Sequence, residues 1–432
     1  AHGGRSAHRV QQMIRVLYAL LWIVAVPFVL ARLAWRSRKQ PGYLENLGER
    51  FGSYPPVKPG PYIWIHAVSV GETRAALPLV EALKERHPTH NILVTHMTPT
   101  GRATSRELFA DRVERAWLPY DLGFAVRRFL AHYRPEMGIV LETEVWPRLF
   151  EEAARAGIPV MLANGRLSQR SADRYARAPA LARWAFSNLA GVAAQSDDDA
   201  RRFSRIGATA PMVTGNVKFD LAIPDAMTVR GERFRERFGA GRTVWVAGST
   251  RDGEEELLLD AFQKAALPPD VLLVLVPRHP QRFDEVARLV ESRGLALARR
   301  SEELVLPAAT HVLLGDSMGE MLAYYFAADV VIMGGSLLDF GGQNLIEACA
   351  LGRPVIVGPH TYNFSEAADG AIAAGAALRV ADADAALAAA ASLDAARRRD
   401  MGQRGAAFVD AHRGAVRRLV DWIEATAASK RR

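Results

Sequence analysis

The stretch "YIWIHAVSVGETRAALPLV", Tyr62 to Val80, decides how the chain must be built. "YIWIH" reads as a buried strand and the Ser69–Gly71 region as a turn. Beyond it, Ala76, Leu79, Val80 and Leu83 recur at the spacing of one helix face. A strand that passes through a tight turn into a helix is the first half of a β-α-β unit, and such units assemble parallel sheets. The turn delivers Glu72 to the start of the helix. As a purely structural residue it is a first-turn glutamate favoured by the helix dipole, by about 0.3–1 kcal/mol. The same dipole predicts a lowered pKa, leaving an ionised carboxylate that can serve as a general base if an acceptor hydroxyl reaches it.

The pattern repeats on both sides of this unit. "NILVT", "GIVL", "PVMLA" and "GVAAQ" each end near Gly, Asn, Ser or Thr, and most precede amphipathic stretches. A second series runs through "TVWVAGS", "VLLVLV", "HVLLG", "DVVIM" and "PVIV". Near-continuous apolar strands alternating with helices predict two doubly wound α/β domains, with ligands expected at the carboxyl ends of the strands, in a cleft between the domains. The polar segment Gly215 to Arg242 separates the two series and is the expected linker. The predicted division is 1–40 as an anchor with its basic flank, 41–225 as an amino-terminal domain and 226–432 as a carboxyl-terminal domain with a terminal amphipathic helix.

The anchor is read from "VLYALLWIVAVPFVLARLAW", Val16 to Trp35, in a region without any Asp or Glu before Glu45. This run matches the roughly 20 apolar residues a bilayer-spanning helix needs. Arg5, Arg9 and Arg15 precede it and "RSRK", Arg36 to Lys39, follows. No small-residue cleavage site precedes the basic cluster, so an uncleaved anchor is expected over a signal peptide or a buried core helix. The heavier charge after the run favours a cytoplasmic location for the domains that follow. Spanning and interfacial placements both remain open, because Pro27 permits either. The single cysteine, Cys349, excludes an internal disulfide. The net charge of +8 suits an anionic partner, but no zinc-finger spacing, basic DNA-reading helix or RNA-binding aromatic pattern points to nucleic acid.

Other candidate groups lie at strand ends. "LETEVWP" places Glu142 and Glu144 after an apolar run, as functional carboxylates or as helix caps. "NGRLSQRS" offers Arg166, Ser168 and Arg170 for an anionic acceptor, or forms a solvated loop. Lys218 sits beside a glycine turn in "TGNVKFD". In the second series, "AGSTRDGEEE", "VPRHPQRF", "LLGDSMGEM" and "GGSLLDFGGQNLIEA" form turns that can present backbone N–H groups to a phosphate. They match neither the dinucleotide fingerprint nor the P-loop. No metal-site spacing and no G-x-S-x-G elbow occurs.

Taken in order, "SVGE", "ETEVWP", "NGRLS", "GNVKFD", "GSTRDGEE", "VPRHPQRF", "GDSMGEM" and "GGQNLIEACALGRPVIVGPH" resemble the bacterial transferases of 3-deoxy-D-manno-octulosonic acid (Kdo). These enzymes act on the lipid A precursor. The resemblance covers nearly the whole chain, apart from residues 1–12. It implies a GT-B glycosyltransferase fold and an inverting transfer of Kdo from CMP-Kdo to lipid IVA at the cytoplasmic face of the inner membrane, without cofactor or metal. Glu72 would be the general base, and Glu142 and Lys218 would stabilise the transition state. Pro277 with Arg278, the turn Met318, Gly319 and Glu320, and the run Asn344, Leu345, Ile346 and Glu347 would hold CMP. The alternatives are a GT-B transferase or epimerase using a UDP- or GDP-sugar, and a membrane-tethered lipid-binding protein without catalysis.

Overall fold

The computed structural model describes residues 2–38, 40–239, 241–265, 267–302 and 306–431; of residues 2–10 and 431 it describes the backbone alone. Lys39 of the basic cluster therefore lies outside the described residues, as do the side chains of Arg5 and Arg9. The chain forms two compact units, one of residues up to Asp220 together with Gly414 onward, the other from Leu221 to Arg413.

Unit 1 opens with helix α1 (His2–Ser37) and contains a seven-stranded sheet. Its strands are β1 (Tyr62–His66), β2 (Asn91–His96), β3 (Glu114–Trp117), β4 (Pro135–Leu141), β5 (Val160–Gly165), β6 (Gly191–Ala194) and β7 (Met212–Val213). All pairings are parallel and the order is β3-β2-β1-β4-β5-β6-β7, so the direction of winding reverses between β1 and β4. Helices α2 (Val70–Arg86), α3 (Pro99–Phe109), α4 (Gly123–Tyr133) and α5 (Pro147–Arg155) connect the earlier strands. β1 is buried along its whole length. Side chains from its two faces enter separate apolar cores, Trp64 with Phe129 and Phe150 on one side, Ile63 and Ile65 with Leu79 and Leu83 on the other. Gly138 on β4 leaves room for Trp64, whose ring a Cβ there would meet at 2.5 Å.

Unit 2 has a second parallel sheet, made of β8 (Thr243–Thr250), β9 (Val271–Pro277), β10 (Leu297–Arg299), β11 (Val312–Leu314), β12 (Val330–Met333), β13 (Val355–Val357) and β14 (Ala377–Arg379). Their order is β10-β11-β9-β8-β12-β13-β14. The ten strands evident in the sequence form the interiors of the two sheets. The four that escaped notice, β3, β7, β10 and β14, are the four edges. Edge strands are covered less completely and carry fewer apolar residues, as "ERAW" at β3 shows.

Two boundaries differ from expectation. The segment Gly215 to Arg242 is not a linker throughout. It contains a helix, Asp225–Phe238, whose Phe234 and Phe238 are buried in unit 2, so the division falls at Asp220 rather than at 225. The terminal helix, Ala415–Arg431, belongs to unit 1. Leu419, Val420 and Ile423 complete the core beside α2, and Arg86 pairs with Asp421 at 2.6 Å and Glu424 at 2.9 Å. Asp220 caps this helix by accepting from the N–H groups of Gly414 and Val416. Periodicity identified an apolar stripe, but it cannot say which core the stripe completes.

Candidate active site

In unit 1 the reversal of winding brings the ends of β1 and β4 together, the place where open parallel sheets form ligand sites. From β1 the chain runs through Ala67 and Val68 to Ser69, the amino cap of α2. Ser69 Oγ accepts from the Glu72 N–H at 3.3 Å and donates to Glu72 Oε1 at 3.0 Å. Glu72 Oε2 accepts from the Val68 N–H at 2.7 Å. Serine and glutamate three residues apart thus form a variant of the capping box in which the glutamate reaches the N–H one residue before the cap, and the carboxylate is held at the helix start.

The pKa of Glu72 nevertheless moves opposite to the expectation from the helix dipole. Burial, opposed by the Val68 hydrogen bond and reinforced by the charges of Glu142 and Glu144, pushes it up to about 7. The dipole is a modest effect on an exposed turn, and here desolvation together with like charge outweighs it. Glu142 leaves β4 with φ of 58°, a left-handed conformation in which glutamate is strained. Its N–H donates to the Ala163 carbonyl at 3.0 Å, and its Oε1 accepts from Lys218 Nζ at 2.9 Å. Glu144 is also raised, first by burial and then by Glu142, against a lowering contact with Trp146. Three carboxylates and one ammonium thus share the β1/β4 end of the sheet.

Lys218 reaches this place through Asn164, which sequence reasoning did not single out. Asn164 is fully buried at φ of 51°, and its Oδ1 accepts from the Val217 N–H at 3.1 Å, fixing the turn Val217–Phe219. An asparagine before glycine at a strand end was the only signal. Its neighbours play lesser parts. Ser168 caps the helix Gln169–Ala176, and Arg170 is exposed on that helix.

In unit 2 the predicted residues also follow the carboxyl ends of strands, the neighbours β9 and β11 and, across β8, β12. Pro277 ends β9 and Arg278 follows, its N–H donating to the Thr250 carbonyl at 2.9 Å. Met318 is 59% exposed, and Gly319, at φ of 77°, has open space beside its Cα. Glu320 is buried and engaged by Arg230 at 2.9 Å and Arg300 at 3.0 Å, so its side chain is part of the scaffold. Asn344 Oδ1 accepts from the Ile346 N–H at 3.2 Å, and its Nδ2 donates to Glu347 Oε1 at 3.0 Å. The side chains of Leu345 and Ile346 are buried in the core and offer only backbone to a ligand. Glu347 and Arg278 both act electrostatically on the buried Tyr325 hydroxyl, which ties the β9 and β12 loops to one locality.

The organisers of this edge are two glutamates of "GEEE". Glu254, fully buried, accepts from the N–H groups of Arg251 at 2.8 Å, Gly335 at 2.6 Å and Leu337 at 2.9 Å, joining the β8 and β12 turns. Glu255 accepts from Thr250 Oγ1 at 2.7 Å and Arg282 Nη1 at 2.8 Å, joining the β8 and β9 turns. Among the described residues no group of three His, Cys, Asp or Glu side chains is placed to hold a metal ion.

Comparison with known proteins gives this geometry its setting. The family profile of the 3-deoxy-D-manno-octulosonic-acid transferases (kdotransferase) matches residues 45–221. Over 428 residues the chain is 45% identical to the 3-deoxy-D-manno-octulosonic acid transferase of Bordetella pertussis, covering 95% of this chain and 99% of that protein. The chain belongs to the Kdo transferase family. It is therefore a glycosyltransferase. The Kdo transferase of Haemophilus influenzae is 39% identical over 359 residues, covering 82% of this chain and 84% of that one. Among solved structures, a glycosyltransferase from Rickettsia africae superposes with a TM-score of 0.59 at 13% identity, covering 85% of this chain and 99% of that one. At that identity the likeness concerns the fold, two parallel-sheet α/β domains of GT-B type. The glutamate at the β1/β4 junction of this Kdo transferase falls inside the profile-matched region, as do Glu142 and Lys218.

Proposed function

We propose that the protein transfers Kdo from CMP-Kdo to a sugar hydroxyl of the lipid A precursor lipid IVA, in lipopolysaccharide synthesis at the cytoplasmic face of the inner membrane. The observation that carries this reading is Glu72, held at the β1/β4 junction with a pKa of about 7. A carboxylate that titrates near neutrality is half ionised at working pH, and as a base it has more driving force than an ordinary glutamate. Glu72 takes the proton of the acceptor hydroxyl as its oxygen attacks the anomeric carbon of Kdo. The bond from that carbon to the CMP phosphate oxygen breaks, CMP leaves with the electron pair, and the configuration inverts. Lys218, oriented by Glu142, compensates the negative charge of the donor, and no metal is required.

On the donor side, Arg278 and the glycine-rich turns after β11 and β12 supply cationic and backbone N–H groups to CMP. Asn344 and Glu347 fix the start of the helix Ile346–Ala350. The role of Glu320 is to hold the Met318–Gly319 turn in place. The experiment is transfer from CMP-Kdo to tetraacylated lipid A precursor, followed by product mass, with a UDP-sugar as the competing donor. Product heavier by Kdo, formed only with CMP-Kdo, is the expected result. Consumption of the UDP-sugar, with CMP-Kdo inert, overturns the donor assignment.

A further inference from the structure

Helix α1 has two unlike faces. Half of the exposed large apolar side chains among the described residues fall on it, Val16, Leu20, Leu21, Val24, Phe28 and Trp35 among them. An apolar surface this extensive is not left in water by a soluble protein. Residues 11–37 have the length and hydropathy of a membrane span. The opposite face, however, is docked on unit 1. Gln11, Ile14, Arg15, Tyr18, Trp22, Val26, Val29 and Leu33 are partly or fully covered, at the spacing of a single helical stripe.

This docking is specific and polar as well as apolar. Arg15 pairs at 2.6 Å with Glu151, a buried carboxylate of α5. Tyr18 donates at 2.7 Å to Asp121 Oδ2, and Asp121 in turn caps α5 by accepting from the N–H groups of Arg148 and Leu149. The Trp22 ring lies against Tyr120 at 5.7 Å, and Leu33 packs with Leu122 and Ala125. From Arg15 to Leu33 the docked stripe runs about 27 Å, nearly the thickness of a bilayer's hydrocarbon core.

A helix that crossed the membrane while keeping these contacts would draw Arg127, Arg148, Glu151, Glu152 and Arg155 to hydrocarbon depth. A helix that crossed after letting go would strip Asp121 and Glu151 of their α1 partners. We propose that α1 does neither. It lies in the plane of the membrane interface as an integral part of unit 1, with its outer apolar face among acyl chains. The occupant is an anionic lipid surface. Arg32, Arg36 and Arg38 are exposed at the end of the helix, and no acidic residue occurs before Glu45 to oppose them. This inference rests on the membrane-bound reading above and goes beyond it in fixing how the protein is held.

The test uses the full-length protein in bacterial membranes, with a membrane-impermeant maleimide applied to Gln12→Cys and, separately, Ser37→Cys. The one native cysteine, Cys349, is fully buried. Labelling of both positions in inverted vesicles and of neither in spheroplasts is expected. Labelling of Gln12→Cys from the periplasmic side, with Ser37→Cys reactive only from the cytoplasmic side, overturns the in-plane placement. If both label from the periplasmic side, the cytoplasmic assignment fails while the in-plane placement stands. A benzophenone amino acid substituted at Leu21 should cross-link to lipid, and a cross-linked dimer would show instead that a second copy covers this face. The same group at Trp22 should join the peptide that carries Tyr120. A lipid adduct alone at that position would mean that the helix is undocked.

Discussion

The two sheets have the same construction, yet their carboxyl edges differ in what is done with acidic side chains. In unit 2 three buried glutamates, Glu254, Glu255 and Glu320, each engage donors from other segments. Glu254 gathers backbone N–H groups from two turns, Glu255 holds Arg282, and Glu320 holds Arg230 and Arg300. In unit 1, Glu72, Glu142 and Glu144 crowd one strand junction with Lys218 as the ammonium drawn to them, and Glu72 titrates near 7. Carboxylates matched to donors build turns that can receive a phosphate. Carboxylates that are buried together in excess of cations hold on to a proton that can be exchanged. Under the proposed function, the loops after the strands divide the work on one scaffold into holding and reacting.

The largest expected effect separates these roles at Glu72. Glu72→Gln keeps a side-chain oxygen for the cap but cannot accept a proton, and transfer should fall about 10²–10⁴-fold. Its raised pKa gives the variant a second signature. Between about pH 4.5 and 7 the folded protein holds a proton that the unfolded chain releases, so Glu72 weakens stability progressively as pH rises through that window. Thermal unfolding at pH 8 should therefore find Glu72→Gln at least as stable as the wild type. A variant both inactive and markedly destabilised would make Glu72 merely a cap.

The converse is expected at Glu254. Glu254→Ala orphans the buried N–H groups of Gly335 and Leu337 and the part-buried one of Arg251, and should lower stability by about 3 kcal/mol or more, measured by denaturant unfolding. Recovery of CMP binding at lower temperature would show that the residue builds the site without touching the nucleotide.

These contrasts were only partly legible in the sequence. Interior strands announce themselves because burial on both faces leaves unbroken apolar runs. Lys218 was legible only as a lysine beside a glycine turn, because the short edge strand before it carries no such run. The positions of Glu72 and Glu142 at strand ends followed from the interior runs. The direction of the Glu72 shift did not, because its causes are burial and two glutamates some seventy residues away. Nor did the engagement of the Glu320 side chain by two arginines. The arginines that engage it, Arg230 and Arg300, lie on segments whose placement no local pattern reveals. The helix from Ala415 onward was recognised as amphipathic, but its true partner, α2 of the first unit, is more than three hundred residues distant.

Smaller effects sharpen the picture within unit 1. Lys218→Met removes the cation at Glu142 and should reduce kcat/KM about 10²-fold, with little change in stability. Ser69→Ala should cost about 1 kcal/mol as a lost cap. Because the Ser69 hydroxyl lowers the Glu72 pKa, the variant should also shift the acid limb of the rate profile to higher pH.

The most direct test is the pH dependence of kcat/KM for Kdo transfer. A base must be deprotonated to act, so the rate should rise with pH through a midpoint near 7 and level off above it, and Glu72→Gln should lack this limb. A midpoint near 4.5, or an unchanged limb in Glu72→Gln, would contradict the assignment of Glu72 as the base.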